Sequence, residues 1–201
     1  IPFISSATLP LLQEPAVKTL LHLAQLKGSG LYRPAMLEVI TSPWNRGARN
    51  NTECIEPRPD LWRVAVQALG ITRGEEEWRR LAHLSCLDTS GSGSEERFTE
   101  DIGGISIEGG QLRLLWSAVS QLINDVTDLP GKGGYGELTD AFLALAERHL
   151  IMASEATRSV DPMSPWDDAG DVSEALSNVF TQLRELDRLA VDITWDEWTE
   201  T

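Results

Sequence analysis

The sequence predicts an all-α fold, an irregular helical domain with two N-terminal helix pairs and a C-terminal antiparallel three-helix bundle. The main observation is the stretch Gln111 to Leu129, whose apolar residues recur in steps of four and three and so share one helix face. Two later segments carry similar stripes, and short apolar segments bounded by Pro and Gly fill the first half. The seam comprises Leu112, Trp116, Val119, Ile123 and Val126, broadened by Leu115, Leu122 and Leu129.

The first half of the chain is expected to form its helix pairs over about residues 15–41 and 59–87. Pro15 stands where a first helical residue is favoured, and Gly28 stands where that helix should end. Pro59 opens the third helix. An acidic first turn marks the fourth, because the helix dipole favours negative charge there.

Residues 88–110 interrupt the helical pattern and are rich in Gly, Ser and acidic residues. We expect a flexible insert between helical hairpins over 1–87 and the bundle with its tail over 111–201. These three parts are predicted to form one compact unit. The insert has room for one short strand, with Ile102, Ile105 and Ile107.

The two later stripes predict the remaining helices of the bundle. The first helix runs from about Glu137 to Thr157, with the seam Leu138, Phe142, Leu145, His149 and Met152. The second begins at Asp171, with the seam Val172, Leu176, Val179, Leu183, Leu186, Ala190 and Ile193. An apolar repeat of 3.5 residues favours shallow crossing at ~20°, so residues 111–193 are expected to enclose a core of their own. A solenoid-like stack of hairpins is the alternative, although no residue signature repeats at a fixed period.

Composition and charge restrict the partners and the compartment. The 201-residue chain has a net charge of −14, which repels nucleic-acid phosphates and anionic lipid and suits a basic protein partner. A plain solvated acidic surface is the other interpretation.

Cys54 and Cys86 allow one disulfide at most, so we expect an intracellular protein, with a secreted helical effector containing that bond as an alternative. The chain starts at Ile1, which predicts a processed chain or a piece of a longer one.

The glycine-rich segment from Gly131 to Gly136 matches G-x-G-x-x-G and precedes a predicted helix. Amides at a helix start can hold a phosphate. A dinucleotide fingerprint follows a strand, whereas a helix precedes this segment, and no Ser or Thr follows Lys132 as in a P-loop. The sequence therefore favours a flexible turn between helices.

A second motif is the acidic string at Asp167, Asp168 and Asp171. It resembles the D-D-x-x-D string with which isoprenoid and terpene synthases hold magnesium and diphosphate. The resemblance implies an all-helical, Mg²⁺-dependent enzyme, since carboxylates are suitable Mg²⁺ ligands. The competing interpretation is an acidic helix entrance in which Asp171 is the cap.

Other chemical signatures are weak. His22, His83 and His149 each fall in a predicted helix, where a buried, hydrogen-bonded histidine is favoured over a zinc ligand. No nucleophile, base and orienting acid can be assembled from the sequence. We therefore expect no cofactor and favour a non-enzymatic role.

The acidic, aromatic tail contains the predicted partner-binding residues Trp195, Asp196, Glu197 and Trp198. The two tryptophans lie three residues apart and share a helix face, so they could enter a groove on a partner. Alternatively, they cap the end of the chain's own bundle. These features predict a helical protein–protein interaction or scaffold module, a fragment or subunit of a larger assembly.

Overall fold

A computed structural model describes residues 14–46, 56–86, 99–102, 104–150 and 170–200. These parts are mostly helical, with two small antiparallel sheets, so the predicted all-α class is confirmed. None of the helices in these ranges combines the length and the apolar composition needed to cross a bilayer.

The described part of the first half contains five helices: α1 (Pro15–Gly28), α2 (Arg33–Ile40), α3 (Pro59–Ala68), α4 (Glu75–Trp78) and α5 (Arg80–Cys86). Proline occupies the first turn of each of the first three, where its missing N–H costs no hydrogen bond. The boundaries predicted for α1 are confirmed. The fourth predicted helix is instead divided between α4 and α5.

A β-hairpin precedes the central helix, so the expectation of one short strand is wrong. β1 (Thr99–Ile102) pairs with β2 (Ile105–Glu108), and Ile102 lies opposite Ile105. Gly104 has a φ of +82°, a conformation that a β-carbon disfavours. The chain reverses at this glycine, and the neighbouring segment therefore supplies the partner strand that an isolated strand lacks.

The second half contains α6 (Gly109–Thr127), α7 (Tyr135–His149) and α8 (Gly170–Glu185). The seam of α6 is buried except for the half-buried Trp116. The described part of the α7 seam is buried too, while Met152 lies outside the described residues.

The predicted seam of α8 needs correction. Leu176, Phe180 and Leu183 pack half-buried against the core, whereas Val179 is 42% exposed. The main contact of α8 is with α7. A helix packed mainly on one neighbour buries a narrower stripe than a helix between two neighbours.

The sequence predicted one helix up to Ile193, but α8 ends at Glu185. A 3₁₀ helix (Leu186–Leu189) follows α8, and Ala190 then adopts a left-handed conformation with a φ of +50°. The strand β4 (Ile193–Thr194) pairs with β3 (Lys132–Gly133), and α9 (Trp195–Glu200) ends the described chain.

One hydrophobic core joins the two halves, so the expectation of a separate core for residues 111–193 is also wrong. Buried residues of α1 to α3 and of α6, α7 and α9 belong to the same cluster. Gln111 of α6 illustrates the connection, because its Oε1 accepts hydrogen bonds from Trp62 Nε1 at 3.2 Å and from the Arg58 amide at 3.0 Å. Lys27 of α1 donates to the Leu129 carbonyl, 2.6 Å away, beyond the end of α6.

Candidate functional site

The structure places the two tail tryptophans in the interior of the chain. Trp195 and Trp198 are only 2% and 6% exposed. Trp195 Nε1 donates to the Ala24 carbonyl of α1 at 2.9 Å, and Trp198 Nε1 donates to Thr139 Oγ1 of α7 at 3.1 Å. Their ring centroids are 5.1 Å apart, and that of Phe142 lies 5.3 Å from that of Trp198. The indole rings thus attach α9 to α1 and α7.

Of the four tail residues that the sequence singled out, Asp196 and Glu197 remain at the surface. Glu197 closes a capping box with Thr194: its Oε2 accepts from the Thr194 amide at 2.8 Å and from its hydroxyl at 2.9 Å. The bonds from Thr194 lower the pKa of Glu197. The spacing Thr-x-x-Glu is the sequence signature of this cap.

The glycine-rich segment holds a carboxylate of the chain itself. The Gly136 amide donates to Asp187 Oδ1 at 2.8 Å at the N-terminus of α7. A β-carbon at Gly134 would lie 2.9 Å from the same oxygen, and one at Gly136 would overlap Asp187 Oδ2. Asp187 therefore occupies the position at which the amides of a helix start would hold a phosphate. The turn between α6 and α7 also contains β3, which pairs with β4, a contact that the sequence did not predict.

After Asp187 and Arg188 the chain exposes three consecutive apolar residues, Leu189, Ala190 and Val191, called here the apolar turn. Leu189 is 61% exposed and Val191 is 54% exposed. Ala190, between them, is exposed and left-handed. A non-glycine residue in this region is uncommon, and such strain concentrates at functional sites.

Both ends of the apolar turn are fixed. On the N-terminal side Asp187 is bound to the start of α7. On the C-terminal side β4 pairs with β3, and the Trp195 amide donates to the Gly131 carbonyl at 3.1 Å. The exposed side chains are thus presented on a backbone that the fold holds in place.

Exposed apolar side chains are concentrated near this turn in the sequence. Five large apolar side chains are exposed in the described ranges, and Val179, Leu189 and Val191 are three of them. Isolated exposed apolar residues are normal on protein surfaces, whereas a contiguous exposed patch marks an interaction site, and Leu189 and Val191 lie only two residues apart.

The chain around the apolar turn is strongly acidic. Residues 185–200 contain six acidic residues and one arginine, which leaves a net charge of −5 in 16 residues. The acidic residues are Glu185, Asp187, Asp192, Asp196, Glu197 and Glu200.

A buried histidine lies elsewhere, at the end of α7. His149 Nε2 lies 2.7 Å from Asp125 Oδ2, and Arg148 Nη1 lies 2.5 Å from Asp125 Oδ1. Burial lowers the pKa of His149, against the opposing effect of the Asp125 carboxylate. This confirms the expected buried, hydrogen-bonded histidine.

His22 on α1 is half-buried and His83 on α5 is exposed. The described residues form no group of three or more that would bind a metal ion.

Three sequence-based hypotheses fall outside the described residues. Asp167 and Asp168 lie there, and Asp171 belongs to α8 but its side chain is not described. The magnesium hypothesis therefore stays a prediction. Cys54 also lies outside, and the side chain of Cys86 is not described, so the disulfide and the secreted effector remain predictions as well.

No family model matches the chain, and no curated protein or solved structure shows significant similarity to it. Function must therefore be inferred from the contacts, exposure and charge of its own residues.

Proposed function

We propose that this chain is a non-enzymatic helical module that binds another protein, as a subunit or segment of a larger assembly. The apolar turn is the contact point. The observation that carries this proposal is the exposure of Leu189 and Val191 on a turn that is fixed at both ends.

The exposed area gives the turn a useful binding energy. Complete burial of a Leu or Val side chain stabilises by about 1.5–3 kcal/mol. Since Leu189 and Val191 are 61% and 54% exposed, their burial under a partner would contribute together about 2–3 kcal/mol. That contribution corresponds to a change in Kd of about 30- to 140-fold.

The fixed backbone strengthens the argument, because a preorganised turn loses little conformational entropy on binding. The left-handed Ala190 costs about 1 kcal/mol in the free protein. Trp195 and Trp198 support the turn from the interior through α9, while Asp196 and Glu197 supply exposed charge beside β4. In this proposal the tryptophans act as supports and the acidic pair belongs to the contact surface.

The proposal is tested by proximity labelling in the source cells, followed by binding measurements with the purified candidate partner. The test variant is Leu189→Ser with Val191→Ser. The matched control is Leu21→Ser with Tyr32→Ser, which removes two other exposed apolar side chains. We expect the first variant to weaken binding at least about tenfold, the equivalent of ~1.4 kcal/mol, and the control to bind like the wild type. Equal binding by all three proteins would refute the proposed site.

A further inference from the structure

We infer that the segment bound at the apolar turn is basic and amphipathic, with apolar side chains flanked by Lys and Arg. This inference rests on the proposed function and names the chemistry of the partner. It is carried by the net charge of −5 over residues 185–200, which extend on both sides of the exposed Leu189 and Val191 in the sequence.

The nearby cations are engaged by the chain's own acids. Arg188 donates to the Glu185 carboxylate at 2.9 Å and to its carbonyl at 2.9 Å. Arg184 pairs with Asp140 on α7. When Arg184, Asp140 and Lys132 are counted together with residues 185–200, a net charge of −4 remains, and a basic partner complements it.

Two carboxylates are well placed to meet a cationic partner. Asp192 directly follows the apolar turn, and its Oδ2 lies 3.8 Å from Lys132 Nζ, with both side chains more than 60% exposed. A pair so long and so exposed is worth little, so a partner cation can compete for Asp192. Asp196 is exposed on the first turn of α9.

Electrostatics disfavours a second copy of this chain, nucleic acid and an anionic membrane as the partner at the apolar turn. In a symmetric dimer through this surface, the acidic segments of two copies would face each other, and like charges would repel. Nucleic acid and anionic membrane carry the same sign of charge as residues 185–200. A basic protein segment satisfies both the apolar turn and its acidic surroundings.

The test uses the full chain and three synthetic helical peptides of ~20 residues. The first carries a leucine stripe with Lys and Arg on its other face, the second has Glu in place of those bases, and the third keeps the bases but has Ser in place of Leu. Fluorescence anisotropy gives Kd at low and moderate salt. We expect the first peptide to bind at least about tenfold tighter than either of the others, and more weakly as salt rises.

Charge variants show whether the effect is local. Asp192→Asn with Asp196→Asn removes two charges beside the apolar turn, and Glu76→Gln with Glu147→Gln removes two exposed charges on α4 and α7. We expect the first pair to weaken binding of the basic amphipathic peptide about three- to tenfold, and the second pair to change it less than about twofold. Thermal unfolding checks that all variants fold.

Any of three results overturns the inference. Equal binding of the first two peptides, equal effects of the two charge pairs, or no binding of the first peptide at about 100 μM would refute a basic amphipathic partner. Leu189→Ser with Val191→Ser separates this failure from that of the proposed function. If it abolishes peptide binding regardless of peptide charge, the docking site stands and only its charge preference is wrong. If it changes nothing, the site itself is refuted.

Discussion

The contact between Asp187 and the start of α7 leads to a prediction in which the same substitution has opposite effects in two backgrounds. Gly136 is the second residue of α7, and its amide donates to Asp187 Oδ1 at 2.8 Å. The three heavy atoms nearest to an added β-carbon all belong to Asp187, including Cγ at 3.1 Å. Gly136→Ala therefore displaces this carboxylate.

The magnitude follows from two opposing effects. Loss of a carboxylate that caps a helix N-terminus costs about 1–2 kcal/mol, including its interaction with the helix dipole. Replacing Gly by Ala in the first turn stabilises a helix by about 0.5 kcal/mol, less than at an interior position. Gly136→Ala should thus destabilise the wild type by about 1 kcal/mol. In an Asp187→Ala background, the cap is already lost, and the same substitution should stabilise by about 0.5 kcal/mol.

Urea unfolding of the four proteins in this double-mutant cycle measures the coupling, expected at about 1.5 kcal/mol. Gly131→Ala is the matched control, because no atom lies within 4 Å of its added β-carbon. It should change the free energy of unfolding by less than about 0.5 kcal/mol in either background. An equal effect of Gly136→Ala with and without Asp187 would show that this carboxylate is not the cause.

Three further predictions concern the histidine and the last helix. Stability should fall as pH drops from about 7 to 5, because the pKa of His149 is lowered in the folded state and the unfolded state, with a pKa of ~6.5, binds more protons. The urea midpoint should fall less over this pH range in His149→Gln than in the wild type. The same dependence of the midpoint on pH in both proteins would contradict this. Trp198→Phe should cost about 1 kcal/mol by removing the hydrogen bond to Thr139, and thermal unfolding should show a drop of a few degrees, whereas an unchanged Tm would argue against that bond. Glu197→Gln should cost about 0.5–1 kcal/mol near neutral pH by weakening the cap on Thr194. Since the pKa of Glu197 is lowered in the folded state, urea titrations should show this difference shrinking as pH falls below the ordinary Glu pKa of about 4.3 and vanishing only below the lowered pKa. A difference that does not shrink with pH would exclude the charged cap.

Local sequence signals predicted the helices well where the helix boundaries and the buried face depend only on residues that are close together in the sequence. Pro15 and Gly28 bound α1 as expected, and the stripe beginning at Leu112 is buried along α6. The stripe of α8 was less informative. Apolar periodicity shows which face of a helix can be buried, but the neighbouring helix decides how wide that face is, and Val179 is left exposed.

The candidate site could be predicted only in part. The sequence identified the tail, its acidic charge and the glycine-rich segment. It assigned the tryptophan rings to a partner-binding surface, with packing on the chain's own helices as the alternative, and the rings are buried. It also gave no weight to Leu189 and Val191, because they lie in a stretch whose periodicity reads as one continuous helix. The left-handed Ala190 ends that pattern, and no glycine or asparagine announces it.

By itself, the sequence determined the helical class, the starts of most helices and the acidic character of the surface. These properties depend on propensity, caps, periodicity and charge, which act over a few residues or add up along the chain. The tertiary structure alone decided that Asp187 occupies the start of α7, 51 residues away, and that Trp195 reaches Ala24 across 171 residues. Such contacts arise because distant segments compete for the same buried space and the same unsatisfied amides, and local sequence does not record which of them succeeds.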